Sequence, residues 1–206
     1  MSLHVVSHPL LDDLLAGLRD RDTPSDEFRR LARRVSLLVA VEATRDLALR
    51  DATVETPLET ARVRRLGARV VAVPVLRAGL GMLDAFLELV PQAQVGYFGL
   101  ERNEETAVAR RYYEKVPHDL GGAVVFLLDP MLATGGSAAT AIDGLTGRGA
   151  RDVRLLCIVA APEGVAHLEA SSPSATVYTA ALDRTLDERK YILPGLGDFG
   201  DRLFGT

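Results

Sequence analysis

Short runs of Val, Leu and Ile alternate along this chain with stretches of helical periodicity, and that alternation constrains the fold more than any other feature. Apolar runs occupy Arg69–Leu76, Gln94–Leu100, Ala123–Leu128, Val153–Ala160 and Ala175–Ala181. Helical stretches follow at Gly81–Val90, closed by Pro91, at Ser137–Arg148 and at Glu163–Ala170. Successive strands joined through helices pair in parallel by right-handed crossovers. Runs that are apolar at every position, not every second one, belong to a sheet covered on both faces. The expectation is therefore an α/β fold, a mostly parallel five-stranded sheet flanked by helices.

Before the alternation begins, Pro24–Arg50 reads as one long amphipathic helix. Phe28, Leu31, Val35, Leu38, Val39 and Leu47 recur near helical spacing, and Ser25 is placed to cap it. Thr53–Pro57 reads as a short turn or strand. Asn103–Leu120 is polar and irregular, either an arm protruding over a site or a surface hairpin. With 206 residues and no linker, repeat or low-complexity tract, the chain is expected to form a single domain. Within it lie an N-terminal helical segment near 8–50, a core near 66–182 and a C-terminal loop near 190–200.

Charge and composition narrow the partners. A net charge of −4 gives no general attraction to nucleic acid or anionic lipid. Arginine outnumbers lysine 22 to 2, which fits either a GC-rich coding bias or many oxyanion contacts, so each arginine is judged by position. The single cysteine, Cys157, lies in an apolar run and reads as a small core residue. His4, His8, His118 and His167 are scattered without metal-ligand spacing, so no protein metal site is expected. No apolar run is long enough to span a bilayer, and Met1–Pro9 lacks the pattern of a secretory signal, so a cytoplasmic location is expected.

The densest chemical signal is Val124–Ser137, VVFLLDPMLATGGS. An apolar strand ends at Asp129, and Thr134, Gly135 and Gly136 lead into a helix at Ser137. Glycines allow positive φ and close approach of a ligand, while free N–H groups at a helix start form a phosphate cradle. Asp129, at the carboxyl end of a strand, can accept hydrogen bonds from sugar hydroxyls. An ordinary strand–helix turn with a Gly–Gly bend fits the same spacing. Gly195, Gly197 and Gly200 match a dinucleotide fingerprint literally, but no helix and further strand can follow them.

Asp129–Ser137, DPMLATGGS, resembles the phosphoribosyl-diphosphate loop of uracil phosphoribosyltransferases. The likeness continues through Pro74–Met82, Arg102–Thr106, Ala160–Gly164, Tyr191–Asp198, Gly200–Thr206 and His8–Leu10, in order along nearly the whole chain. Leu128 before Asp129 and Pro130 after it match the uracil branch and not the purine or orotate enzymes. The resemblance implies a type I phosphoribosyltransferase fold with a small C-terminal base-binding hood. The implied reaction transfers the 5-phosphoribosyl group from phosphoribosyl diphosphate to N1 of uracil, giving UMP and diphosphate. A transferase for another base, or an RNA-binding regulator of pyrimidine genes on the same fold, stands as the alternative.

By the same resemblance, Arg77, Arg102, Asp129 and Asp198 are the catalytic residues. Phosphoribosyl diphosphate would be held by these four with Pro130, Met131, Leu132, Ala133, Thr134, Gly135, Gly136 and Ser137. Two guanidinium groups suit the oxygens of a departing diphosphate, and Arg77, following a strand, is expected to need an anion partner. Taken alone, Arg102 also reads as a solvated loop arginine. Uracil would meet Ile192, Gly197, Asp198 and Phe199, although a C-terminal turn with a surface carboxylate fits Asp198 as well. Mg²⁺ would arrive mainly through the diphosphate, GTP is an implied effector, and a homo-oligomer, dimer or tetramer, is implied. Two positions depart from the family pattern: Phe199, where a small residue is usual, and Lys190, where glycine is usual.

Overall fold

Alternate side chains of the central strands enter two different cores, which explains why those strands are apolar at both parities. In the strand Arg69–Leu76, Val70 and Ala72 join one core while Val71, Val73 and Val75 join the other. The strand Asp152–Ala160 does the same, with Leu156 and Ile158 on one side and Leu155 and Cys157 on the other. Pleating directs successive Cβ atoms to opposite faces, so a sheet sandwiched between helices has no solvent side.

The structure, a computed structural model, describes residues 1–102 and 109–206. The chain runs β1 Ser2–Val5, α1 Pro9–Arg19, α2 Ser25–Ala43, β2 Leu49–Glu55, β3 Thr60–Leu66, β4 Arg69–Leu76 and α3 Leu80–Leu89. Next come β5 Gln94–Val95, β6 Tyr97–Arg102, β7 Ala109–Lys115, β8 Ala123–Leu128, β9 Met131–Leu132 and α4 Gly136–Thr146. The remainder is β10 Asp152–Ala160, α5 Pro162–Ser171, β11 Thr176–Leu182, β12 Thr185–Leu186, β13 Ile192–Leu193 and α6 Phe199–Phe204. The main sheet is ordered β1-β11-β10-β8-β4-β6-β7, all pairs parallel except β6 with β7, and β5 and β9 attach to β4 and β10. Helices α1, α2, α3 and α6 cover one face, and α4 and α5 cover the other.

The α/β class and the mostly parallel sheet agree with expectation, but the sheet is wider than five strands. All five expected strands are present, with Gln94–Leu100 broken at Gly96 into β5 and β6, and β1, β7 and β9 are added. The long helix also needs correction. α2 stops at Ala43, and Leu49–Arg50 already belong to β2, which forms an antiparallel hairpin with β3. Ser25 is the first helical residue, with Pro24 at the cap and no side-chain capping bond. Within Asn103–Leu120, residues 103–108 lie outside the described residues, while Ala109–Lys115 is β7, an antiparallel edge strand on β6. No described helix is long and apolar enough to cross a membrane.

Because β4, β8 and β10 are parallel, their carboxyl ends lie along one edge of the sheet, the edge where open α/β sheets carry ligands.

Candidate active site

β8 delivers Asp129 to that edge, and the loop after it is held by backbone bonds to β10. Asp129 N–H donates to Leu156 O at 3.1 Å, and Pro130 O accepts from the N–H groups of Ile158 and Val159 at 2.9 and 3.0 Å. Ala161 N–H donates to Leu132 O at 2.8 Å. The loop then turns at Gly135, whose φ of 83° is left-handed and lies at the cap of α4. A Cβ there would stand 2.9 Å from Gly164 O and 3.2 Å from the His167 side chain, so α5 closes the space behind the turn. No side chain caps α4, and its first N–H groups are open to an acceptor from outside.

Asp129 and the loop residues after Pro130 line a cavity of about 240 Å³ together with Val75, Leu76, Arg77, Ala78 and Leu100. All of Met131–Ser137 face it, as does Asp129, while Pro130 is buried behind. Asp129 has a carboxyl pushed up to about 6 by burial, against a weak opposing bond from Met131 N–H at 3.4 Å. Burial favours its neutral form, and hydrogen-bond donors brought by a ligand would favour the anion.

Arg77 has a carboxylate, Asp201, for a neighbour. The residue follows β4 across a cis Leu76–Arg77 peptide, but its guanidinium is not buried. Its side chain is 62% exposed, sits 3.8 Å from Asp201 and lies over the Phe204 ring at 5.6 Å from the centroid. It stands at the rim of the cavity with a weakly held carboxylate as neighbour. Arg102 closes β6 opposite Ala109, and its side chain lies outside the described residues.

The C-terminal loop forms a second cavity, of about 210 Å³, lined by Lys190, Tyr191, Ile192, Gly197, Asp198, Phe199 and Gly200. Ala78, Met131 and Ala133 line both cavities, so the glycine loop and the C-terminal loop share a wall. Asp198 is exposed, and its Oδ1 accepts Asp201 N–H at 2.9 Å, capping α6. One carboxylate oxygen of Asp198 is thus already engaged. Phe199 is buried, its ring 5.2 Å from that of Phe28 in an edge-on contact, so the aromatic group points chiefly into the core. Lys190 holds a φ of 68°, which explains why a glycine would suit the position. Asp187 supports that turn by accepting Arg189 and Tyr191 N–H groups at 2.9 and 2.8 Å.

Sequence reasoning did not single out the residues that hold the C-terminal loop. Asp183 Oδ2 accepts Gly195 N–H at 2.8 Å, Arg19 donates to Gly195 O at 2.7 Å, and Arg202 donates to Leu196 O at 2.7 Å. Arg19 and Asp183 are 164 positions apart, and no local motif links them.

A family model described as uracil phosphoribosyltransferase matches residues 5–206. Among similar curated proteins, the uracil phosphoribosyltransferase of Streptococcus equi subsp. zooepidemicus is 49% identical over 98% of this chain and 97% of its own. That of Shouchella clausii is 49% identical over 99% of this chain and 98% of its own. A solved Aquifex aeolicus protein superposes with a TM-score of 0.95 at 35% identity, covering 99% of this chain and 98% of that one. A Trypanosoma cruzi hypoxanthine phosphoribosyltransferase, at a TM-score of 0.52, 13% identity and coverage of 77% and 76%, shares the fold alone.

Proposed function

The chain belongs to the uracil phosphoribosyltransferase family, and from that premise we propose that it transfers a 5-phosphoribosyl group from phosphoribosyl diphosphate to N1 of uracil. The observation that supports this most is the wall of Ala78, Met131 and Ala133 common to the two cavities. A sugar phosphate on the glycine loop and a base in the C-terminal loop would meet across it. Family membership disfavours the RNA-binding regulator and the transferase for another base.

In this reading Thr134–Ser137 receives the 5-phosphate, and Asp129 anchors the ribose hydroxyls. The C1′–oxygen bond to diphosphate breaks as N1 of uracil bonds to C1′, with oxocarbenium character at C1′ and loss of the N1 proton. No protein nucleophile is required. Arg77 and Arg102 stabilise the departing diphosphate, and positioning supplies much of the rest. Arg77, already at the rim, exchanges the solvated Asp201 carboxylate for the more highly charged diphosphate. Uracil lies along Ile192, Gly197, Asp198 and Phe199, where backbone donors and acceptors match O2, N3–H and O4.

Bound through the diphosphate, Mg²⁺ would supply charge neutralisation. Among the described residues no group of three or more His, Cys, Asp or Glu side chains is arranged to hold a metal, while the hard carboxylate of Asp129 suits a cation brought by the diphosphate. Cytoplasmic location, activation by GTP and self-assembly into a dimer or tetramer complete the reading. Sedimentation and rate measurements with and without GTP test these last two points, and a monomer indifferent to GTP would remove them.

The decisive experiment is uracil-dependent diphosphate release with phosphoribosyl diphosphate and Mg²⁺, run beside cytosine and hypoxanthine. Arg77→Ala and Asp129→Ala are each expected to lower the uracil rate at least about tenfold. Equal rates with hypoxanthine, or variants as active as the parent, would reject the reading.

A further inference from the structure

Resting on the reading that the Ile192–Phe199 loop holds the base, we propose that the Arg19–Asp183 ion pair is a positioning clamp that sets the affinity for uracil. The pair grips both polar groups of Gly195. Asp183 Oδ2 accepts its N–H at 2.8 Å, and Arg19 Nη1 donates to its carbonyl at 2.7 Å. The two side chains are themselves joined as a fork, Nη1 to Oδ2 at 2.8 Å and Nη2 to Oδ1 at 2.6 Å. Their exposures are 27% for Arg19 and 6% for Asp183, so the bonds are charge-assisted and poorly screened.

Each partner is anchored to a rigid element. Arg19 ends α1, and Asp183 follows β11 with its own N–H donating to Ala160 O of β10 at 2.8 Å. Neither side chain lines either cavity, so both act through the loop. Gly195 transmits the hold: with φ at 59°, a Cβ there would lie 2.1 Å from Ile192 O. A shift at Gly195 therefore moves Ile192 on one side and Gly197 on the other, and both line the smaller cavity. The clamp orders this backbone during folding, so the ordering cost does not fall on base binding. The glycine loop after Asp129 has its own anchors on β10 and α5 and does not depend on the pair.

The test is steady-state kinetics with each substrate varied, beside thermal unfolding, for Asp183→Asn, Arg19→Lys and Gly197→Ala. Asp183→Asn should raise KM for uracil about tenfold or more, with kcat and KM for phosphoribosyl diphosphate changed by less than about threefold. Arg19→Lys keeps one charged donor for the Gly195 carbonyl but loses the fork, so its rise in KM should be smaller. If Asp183→Asn fails to fold, Arg19→Lys decides alone. A lowered melting temperature with unchanged KM for uracil would overturn the clamp, as would equal rises in both KM values. Gly197→Ala strains the loop itself at a φ of 80°. If it leaves KM for uracil unchanged, the base-site reading fails; if it raises KM while the clamp variants do not, only the clamp fails.

Discussion

On the proposed function, the single carboxyl of Asp129 would link burial to the pH dependence of the reaction. Its folded value of about 6 lies above the ordinary 3.8, because burial disfavours the anion. The sign follows from linkage. This group's contribution to folding stability is fully present below about 3.8 and is lost as pH rises through about 6. Binding of ribose hydroxyls and a cation would run the other way, since both favour the ionised form. The expected outcome is a kcat/KM for phosphoribosyl diphosphate that falls toward tenfold per unit below pH about 6. Substrate phosphates titrate in the same range, so the profile of Asp129→Asn is the required comparison. That variant should be slower and should lose the part of the acid limb that belongs to the enzyme. Parallel profiles for the two proteins would contradict this assignment.

Elements differ in how plainly their residues announce them. β4, β8 and β10 were legible because burial on both faces demands unbroken apolar runs. β1 carries His4 and only four residues, and the β2–β3 hairpin bears Arg50, Arg62, Arg64 and Arg65, so neither shows a hydrophobic period. The end of α2 was missed because Leu47 continues the apolar spacing past Ala43, where the helix stops. The glycine loop was legible for a local reason, since strand, acid, Gly–Gly and helix follow one another within fourteen residues, Val124–Ser137. Its hold on α5 was not, although it is what makes Gly135 irreplaceable. Gly135→Ala adds a Cβ at a left-handed φ of 83°, 2.9 Å from Gly164 O. It should destabilise the fold by about 2 kcal/mol or more and raise KM for phosphoribosyl diphosphate more than KM for uracil. Denaturant unfolding and the two KM values check both parts.

Across the whole molecule, the C-terminal loop is tied to helices that begin the chain. Arg202 of α6 donates to Leu18 O and to Asp20 O, and its guanidinium lies 4.4 Å from the Phe28 ring centroid. Phe199 meets the same ring at 5.2 Å, and a Cβ on Gly81 of α3 would come within 3.1 Å of it. The first and last segments of the chain are thus one packed layer against the sheet, and the smaller cavity sits on top of it. Tertiary contacts of this kind leave no trace in local spacing, so the core contact of Phe199 with Phe28 was not legible beside its place in the lining of the smaller cavity. Phe199→Ala, toward the small residue usual in the family, should therefore act mainly on stability. Loss of a buried ring costs about 3–5 kcal/mol, which for a domain of this size lowers the melting temperature by roughly 10 °C. Backbone groups at Ile192, Gly197 and Asp198 would remain to read the base, so preference for uracil over cytosine should persist in calorimetry and base-competition assays. A stable variant with reversed base preference would instead put the ring in the site.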